Sequence, residues 1–408
     1  MKCRHCHTLL EHVFLDLGYA PHSNGYLYES ELQAPEQYFP LKLYVCSTCW
    51  LVQTIDYSTS SELFTKDYAY FSSVSSTWVQ HAKEYVAMIS KQLRLNASSF
   101  VIEIASNDGY LLKNFVQDDI PCLGIEPTES TANAARAIGI PVVSEFFGHD
   151  FAISLVKQKK LADLIICNNV FAHVPDINDF TLGLKTALRD NGTITLEFPH
   201  LLNLIRFNQF DTVYHEHFSY LSAHAVQTIF QQAGLRVFDI EEIPTHGGSI
   251  RVFGCHQEDI RQPSPAMTKV LSEEKSFGLL TMAPYDGFQA RANQIKNDLL
   301  RFLLKANQEG KTVGAYGAAA KGNTLLNYAG IKPDLIEFVC DSALAKQGKF
   351  MPGSHIPILT PHALQERQPD YVLILPWNIA GEIIRDHASV RLWGGQFVRA
   401  IPTLEIIE

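Results

Sequence analysis

The chain has 408 residues, more than one hydrophobic core usually holds, so two or three domains are expected. Hydrophobic residues make up 46% and charged residues 19%, as in a globular protein in water, and no window approaches the ~18 uninterrupted apolar residues of a membrane helix. A formal charge of −10 argues against a nucleic-acid-binding surface, and MKCRHCHTLLEHVF lacks an apolar run followed by a cleavage site.

Residues 1–65 carry short strand-like runs (EHVFLDLG, YFPLKLYVC, LVQTI) and two C-x-x-C pairs, Cys3/Cys6 and Cys46/Cys49. Each pair presents two sulfurs on one side, and two pairs complete the tetrahedral shell of a structural Zn²⁺. A thioredoxin-like redox pair uses one C-x-x-C at a helix start, so two in strand-rich surroundings fit it poorly. Cys122, Cys167, Cys255 and Cys340 sit in apolar contexts as small hydrophobes. Reduced thiols and no export signal predict a cytoplasmic protein.

Residues 66–255 alternate short apolar runs with helical patterns, the sign of a mostly parallel, doubly wound sheet. FVIEIASNDGYLL reads as a strand ending at Glu103, a turn of Ala105, Ser106, Asn107, Asp108 and Gly109, then a helix. A dinucleotide fingerprint needs three glycines and this turn has one, so a pyrophosphate fits poorly. S-adenosylmethionine (SAM) places no phosphate there and can use turn amides and an acid. Glu126, with Pro127 beside it, ends the next strand and is placed for ribose hydroxyls. SEFF ends the third strand and offers Phe146 or Phe147 as an adenine wall. Asn168, Asn169 and His173 follow the fourth, ADLIICNNVFAHVPD. Ligands of open α/β sheets gather at such strand ends.

Past a fifth strand, GTITLEFPH, the segment YHEHFSY packs Tyr214, His215, Glu216 and His217 together. No third and fourth metal ligand is evident nearby, so proton transfer is the better reading. His217 with Glu216 reads as a base and its partner, Tyr214 as an oxyanion donor, and His215 as structural. THGGSIR then puts His246, Gly247, Gly248 and Arg251 beside the cleft, with His246 a candidate substrate contact.

Residues 256–408 open with a polar linker, QEDIRQPSP, followed by one long helical pattern from about 266 to 309. TVGAYGAAAKGN then reads as strand, glycine turn and helix, with Lys321 in the first turn and Asn323 two residues on. It has neither the P-loop nor the G-x-G-x-x-G pattern, but small residues and a lysine suit a diphosphate.

The motifs CRHC…LDLG…CSTCWLVQ, DYAYFSSVSS, VIEIASNDGYLL, YHEHFSYLS, THGGSIRVF and GAYGAAAKGNTLLNY together resemble the SAM-dependent sugar C-methyltransferases of bacterial deoxysugar and branched-sugar pathways. The likeness covers essentially the whole chain. It implies a zinc-binding domain, a central SAM domain and a C-terminal Rossmann-like α/β domain that binds substrate. It also implies methylation of a nucleotide-linked, dTDP-type 4-keto-6-deoxyhexose at C-3; a monomer is the default expectation. By that resemblance His217 is the base paired with Glu216, and its companions are Tyr214, His173 and Tyr68, with Tyr70 close by. The family also has Asp-Glu-His where this chain has His-Glu-His, so His215 is not expected to be essential. The rivals are methylation at C-5, an NAD-dependent sugar-nucleotide oxidoreductase or epimerase, and a non-catalytic zinc-ribbon adaptor. The absence of G-x-G-x-x-G and of a Tyr-x-x-x-Lys pair weighs against the second.

Overall fold

The computed structural model describes residues 1–55, 57 and 71–407. β1 (His12–Ala20), β2 (Phe39–Val45) and β3 (Val52–Thr54) form an antiparallel meander that the cysteine pairs flank. Along β2, Leu41, Leu43 and Val45 turn inward while Lys42 and Tyr44 are half-buried, the period-2 pattern of a strand with one covered face.

α1 (Ser76–Leu93) begins where the Ser75 hydroxyl accepts the Trp78 N–H, and it buries Ala82, Tyr85, Val86 and Ile89 on one helical face. The chain continues through β4 (Val101–Ile104), α2 (Leu112–Gln117), β5 (Cys122–Ile125), α3 (Glu129–Ala137), β6 (Val142–Val143) and α4 (His149–Lys157). It returns as β7 (Ala162–Asn168), α5 (Ile177–Ala187), β8 (Leu188–Pro199) and α6 (Leu201–Arg206). β9 (Ser219–Tyr220), α7 (Ala223–Ala233), β10 (Leu235–Ile243) and β11 (Ser249–His256) complete this part. Among the described residues the sheet order is β10-β11-β8-β7-β4-β5-β6, parallel from β6 to β8 and antiparallel at β11 and β10. Chain order reverses between β4 and β7, the place in an open α/β sheet where ligands bind at the carboxyl ends of the strands. The expected third strand is shorter than SEFF implies, since pairing stops at Val143.

The single helix expected over 266–309 is two, α8 (Pro265–Phe277) and α9 (Phe288–Gln308). Gly278 caps the first at φ 96°, Gly287 opens the second at φ 81°, and Pro284 lies between them. β12 (Val313–Tyr316), α10 (Ala320–Ala329), β13 (Val339–Cys340), β14 (Ile358–Leu359), β15 (Tyr371–Ile374), β16 (Gln396–Arg399) and β17 (Glu405–Ile407) follow. Their order is β14-β13-β12-β15-β16-β17, parallel except for the β16–β17 pair, which is a Rossmann-like half.

The parts share walls. β9, directly after the H-E-H run, adds as an edge strand to β3, and Phe14 of β1 packs on Tyr285 and on Phe288 of α9. Buried Glu274 of α8 accepts the Ala223 and His224 amides at the start of α7 and the Nε2–H of His200 at 2.6 Å. No helix among the described residues is long and apolar enough to cross a membrane.

Candidate functional site

The four N-terminal cysteines converge. Their sulfurs all lie within 4.8 Å of one another, with Cys3–Cys49 at 3.5 Å and Cys6–Cys46 at 3.4 Å. A tetrahedron with Zn–S of ~2.3 Å needs sulfurs about 3.8 Å apart, so the set fits zinc, with four ligands and no open position. Gln53 Nε2 donates to Cys3 Sγ at 3.2 Å and the Thr48 N–H to Cys46 Sγ at 3.5 Å, contacts that favour thiolates. Gln53 and Val52 lie on β3 opposite Ser219 and Tyr220, so the thiolate shell is one strand away from the H-E-H turn.

At the mouth of the parallel sheet, Ala105 (φ 55°), Asn107 (φ 50°), Gly109 (φ 78°) and Asn169 (φ 54°) take left-handed conformations. Such strain gathers where a backbone is shaped for a ligand. Glu126 accepts the Asn107 N–H and the Thr128 N–H, both at 2.9 Å, and each of its oxygens keeps a lone pair for a further donor. Pro127 follows it, half-buried, into α3. Burial, together with Glu126 and Asp108, pushes the Glu103 carboxyl well above its usual range. The Glu103 Oε2, Ser106 Oγ, Asp108 Oδ1, Asn168 Oδ1 and Asn169 Oδ1 atoms are buried with no partner among the described residues. The carboxyls of Glu103, Asp108 and Glu126, with these orphaned oxygens from the turn and from the end of β7, repel a pyrophosphate and suit a ligand bearing an amine and a sulfonium. The SAM expectation therefore fits this turn. Ser72 and Ser73 close over it, their amides donating to Asn107 Oδ1 and Asp108 Oδ2.

His217 stands at the same sheet edge. Its Nδ1–H donates to the Thr212 carbonyl at 3.2 Å, which leaves Nε2 with the lone pair. Tyr214 lies over the ring at 4.0 Å and His173 meets it edge-on at 4.6 Å. His173 donates Nδ1–H to the Glu216 carbonyl at 2.8 Å. Burial, with His173, His246 and Lys321 nearby, keeps His217 far below the usual imidazole range; burial brings His173 down to about 4. Both rings are neutral at pH 7. The turn itself is pinned from two sides, Phe218 N–H to Ala172 O and Thr54 Oγ1–H to His217 O.

Several expected residues stand differently. No hydrogen bond or ion pair joins the Glu216 carboxyl to His217 among the described residues; it accepts from Asn24 Nδ2 at 2.7 Å. The group orienting the imidazole is the Thr212 carbonyl. Arg251 does not line the cleft. It is buried, donating to Glu197 at 2.7 Å and Glu241 at 2.6 Å, because β11 points it into the gap beneath α1. Asn323 is fully enclosed and donates to the Ser23 carbonyl, which takes it from the substrate set. Phe147 packs edge-on against Phe151 and Phe180, a helix-side contact, while Phe146 is exposed. His215 meets His22 and Phe39 edge-on. Tyr68 and Tyr70 lie outside the described residues.

Lys321 donates to Asn378 Oδ1 at 2.6 Å and lies over the Trp377 ring at 4.8 Å, while Trp377 Nε1–H donates to Asp211 at 2.7 Å. Burial lowers the Lys321 ammonium and raises Asp211 to about 6. His246 (φ 52°) sits between Trp78 and Asn169, and burial holds it at about 4. Gly247 is required, since a Cβ there would lie 2.4 Å from Trp377. Sequence reasoning missed Asn24, His81, Glu197, Asp211, Thr212 and Trp377. Glu197 had a usable signal, an acid near the end of a parallel strand like Glu103 and Glu126.

Three family models match the chain in succession: a zinc binding domain over residues 3–64, a methyltransferase domain over 78–240, and a C-methyltransferase C-terminal domain over 244–402. The C-methyltransferase NovU of Streptomyces niveus is 33% identical over 393 residues, which span 96% of this chain and 93% of that protein. Among solved structures, magnesium protoporphyrin IX methyltransferase from Synechocystis PCC 6803 with bound SAH aligns at TM-score 0.36 and 14% identity, covering 44% of this chain and 83% of that one. A SAM-dependent methyltransferase from Archaeoglobus fulgidus aligns at TM-score 0.34 and 13% identity, over 43% and 93%.

Proposed function

Since the chain belongs to the C-methyltransferase family, we propose that it uses SAM to methylate C-3 of a nucleotide-linked, dTDP-type 4-keto-6-deoxyhexose. The observation that carries this reading is the neutral His217 ring, with Nδ1–H committed to Thr212 and Nε2 left as a base, at the sheet edge that also bears the acidic turn.

Bound at that turn, SAM supplies an electrophilic sulfonium methyl. Glu103, Asp108 and Glu126 would hold its cationic and hydroxyl groups, with Asn168 and Asn169 at the end of the neighbouring strand. His217 Nε2 takes the proton from the carbon beside the ketone, and the electron pair moves into a C=C bond as the carbonyl oxygen becomes an enolate. Tyr214 and His173 stand beside the base, and the Lys321 charge favours the anion. The enolate carbon would then bond to the methyl group as its S–CH3 bond breaks, the ketone re-forms, and neutral S-adenosylhomocysteine would leave. His246 and Gly247 border the cleft, and Lys321 at the start of α10 faces the nucleotide's diphosphate side. The four-cysteine zinc site holds the sheet that carries β9.

Calorimetry with SAM and with NAD, followed by mass spectrometry of dTDP-4-keto-6-deoxyglucose incubated with SAM, tests the reading. SAM binding and a sugar heavier by one methylene unit are expected, with NMR placing the branch at C-3 rather than C-5. Glu126→Ala should weaken SAM by about tenfold or more, since a hydrogen-bonded carboxylate is lost. NAD binding without SAM binding would overturn the proposal.

A further inference from the structure

The H-E-H turn is built against a loop of the cysteine-bearing domain that carries no cysteine. Between β1 and β2 the segment PHSNGY reaches across to both other parts of the molecule. His22 stacks flat on Phe39 at 4.7 Å and meets His215 edge-on. The buried Ser23 gives its carbonyl to Asn323 of α10 at 2.6 Å. Tyr26 donates its hydroxyl hydrogen to the Ala318 carbonyl at 2.6 Å, and Lys346 donates to the same oxygen at 2.7 Å. Between these anchors, Asn24 directs its amide at Glu216.

We propose that Asn24 is a positioning residue that fixes the carboxyl of Glu216, the residue preceding the base, and keeps it ionised. The catalytic consequence rests on the function proposed above. When His217 takes a proton it becomes a cation in a dry pocket, and an ionised carboxylate on the adjoining residue, though not paired with the ring, offsets part of that charge through space. Glu216 is 4% exposed, and burial alone drives a carboxyl toward its neutral form. A donor at 2.7 Å favours the charged form. The balance leaves Glu216 raised to about 7, within the range where losing one donor changes its charge at neutral pH. The titratable groups around it are Tyr26, which feels Glu216 and Asp341, the flanking His215 and His217, His173 on its carbonyl, and Lys346 beyond Tyr26. None of these replaces the Asn24 amide, since Tyr26 and Lys346 both donate to Ala318.

The test uses the full zinc-loaded chain with Asn24→Leu, which nearly keeps the volume and removes the donor, and Asn24→Ala. Melting temperature and zinc content establish that each variant is folded. In protein carrying ¹³C-labelled glutamate, the side-chain carboxyl of Glu216 is assigned by its absence from Glu216→Gln and titrated. Its midpoint should rise by about one to two pH units in either Asn24 variant. With dTDP-4-keto-6-deoxyglucose and SAM, turnover at pH 7 should fall roughly 5- to 50-fold and recover toward wild type at pH 9, with KM for the sugar little changed. An unmoved Glu216 midpoint, or a loss of turnover equal at pH 7 and pH 9, overturns the proposal. A wild-type chain inert toward the sugar whose Glu216 midpoint still rises on losing the amide would remove the methylation reading and leave the Asn24–Glu216 contact standing.

Discussion

Replacing Arg251 by methionine probes whether this side chain serves substrate or structure. Its guanidinium is buried, donates to Glu197 and Glu241, and lies over the Tyr85 ring at 4.4 Å. The Glu241 side chain is 47% exposed, so water takes over most of that contact when the arginine goes. Glu197 is fully buried and, among the described residues, keeps the His81 ring nitrogen at 2.9 Å and the Thr245 hydroxyl at 3.3 Å. Methionine fills much of the volume, so the dominant cost is a carboxylate stranded in the sheet, about 3–5 kcal/mol. For a unit of this size, that corresponds to a fall in melting temperature of roughly 6–20 °C. Differential scanning calorimetry measures it. Adding Glu197→Gln to the same chain should recover most of the loss, because both charges are then gone. Binding of SAM and of sugar nucleotide, measured well below the transition, should stay within about twofold of wild type. An unaltered melting temperature together with a raised KM for the sugar would refute the reasoning and return Arg251 to the cleft.

Purified protein should carry about one zinc per chain, and stripping it with a chelator should release the β3–β9 edge and with it the H-E-H turn. Metal analysis finding less than about half an equivalent in active protein would contradict the site. Gly109→Ala should destabilise by about 2–5 kcal/mol, since a Cβ at φ 78° would lie 2.2 Å from Ile140 Cδ1. Gly139→Ala, at φ 83° with open space around it, should cost only the backbone share, about 1–2 kcal/mol. Equal losses for the two by chemical denaturation would show that the α2–α3 packing is not what requires Gly109.

What the sequence made legible was whatever lies close along the chain. The C-x-x-C pairs needed only their own spacing to announce a metal. The acids at positions 103 and 126 could be placed because a parallel strand delivers its last residue to one edge of the sheet. The partners that set the chemistry were hidden because they arrive from afar. Asn24 is 192 residues from Glu216, and His81 is 116 from Glu197. Arg251 looked like a cleft residue because its neighbours are glycines, and only strand direction shows that it points inward. Adjacency misled at His217 too: Glu216 is next to it in the chain, yet the carbonyl of Thr212, five residues away, holds the ring. Glycines at 278 and 287 broke a helical pattern whose apolar spacing alone ran straight through.

The central claim is that His217 Nε2 removes hydrogen from the carbon beside the ketone. Hydrogen exchange isolates that step from methyl transfer. Wild-type enzyme in D₂O with dTDP-4-keto-6-deoxyglucose and S-adenosylhomocysteine should take deuterium into C-3. His217→Asn should slow that uptake by about 10²–10⁴-fold while SAM affinity stays near wild type. Deuterium entering at the wild-type rate without this imidazole would mean that another group is the base.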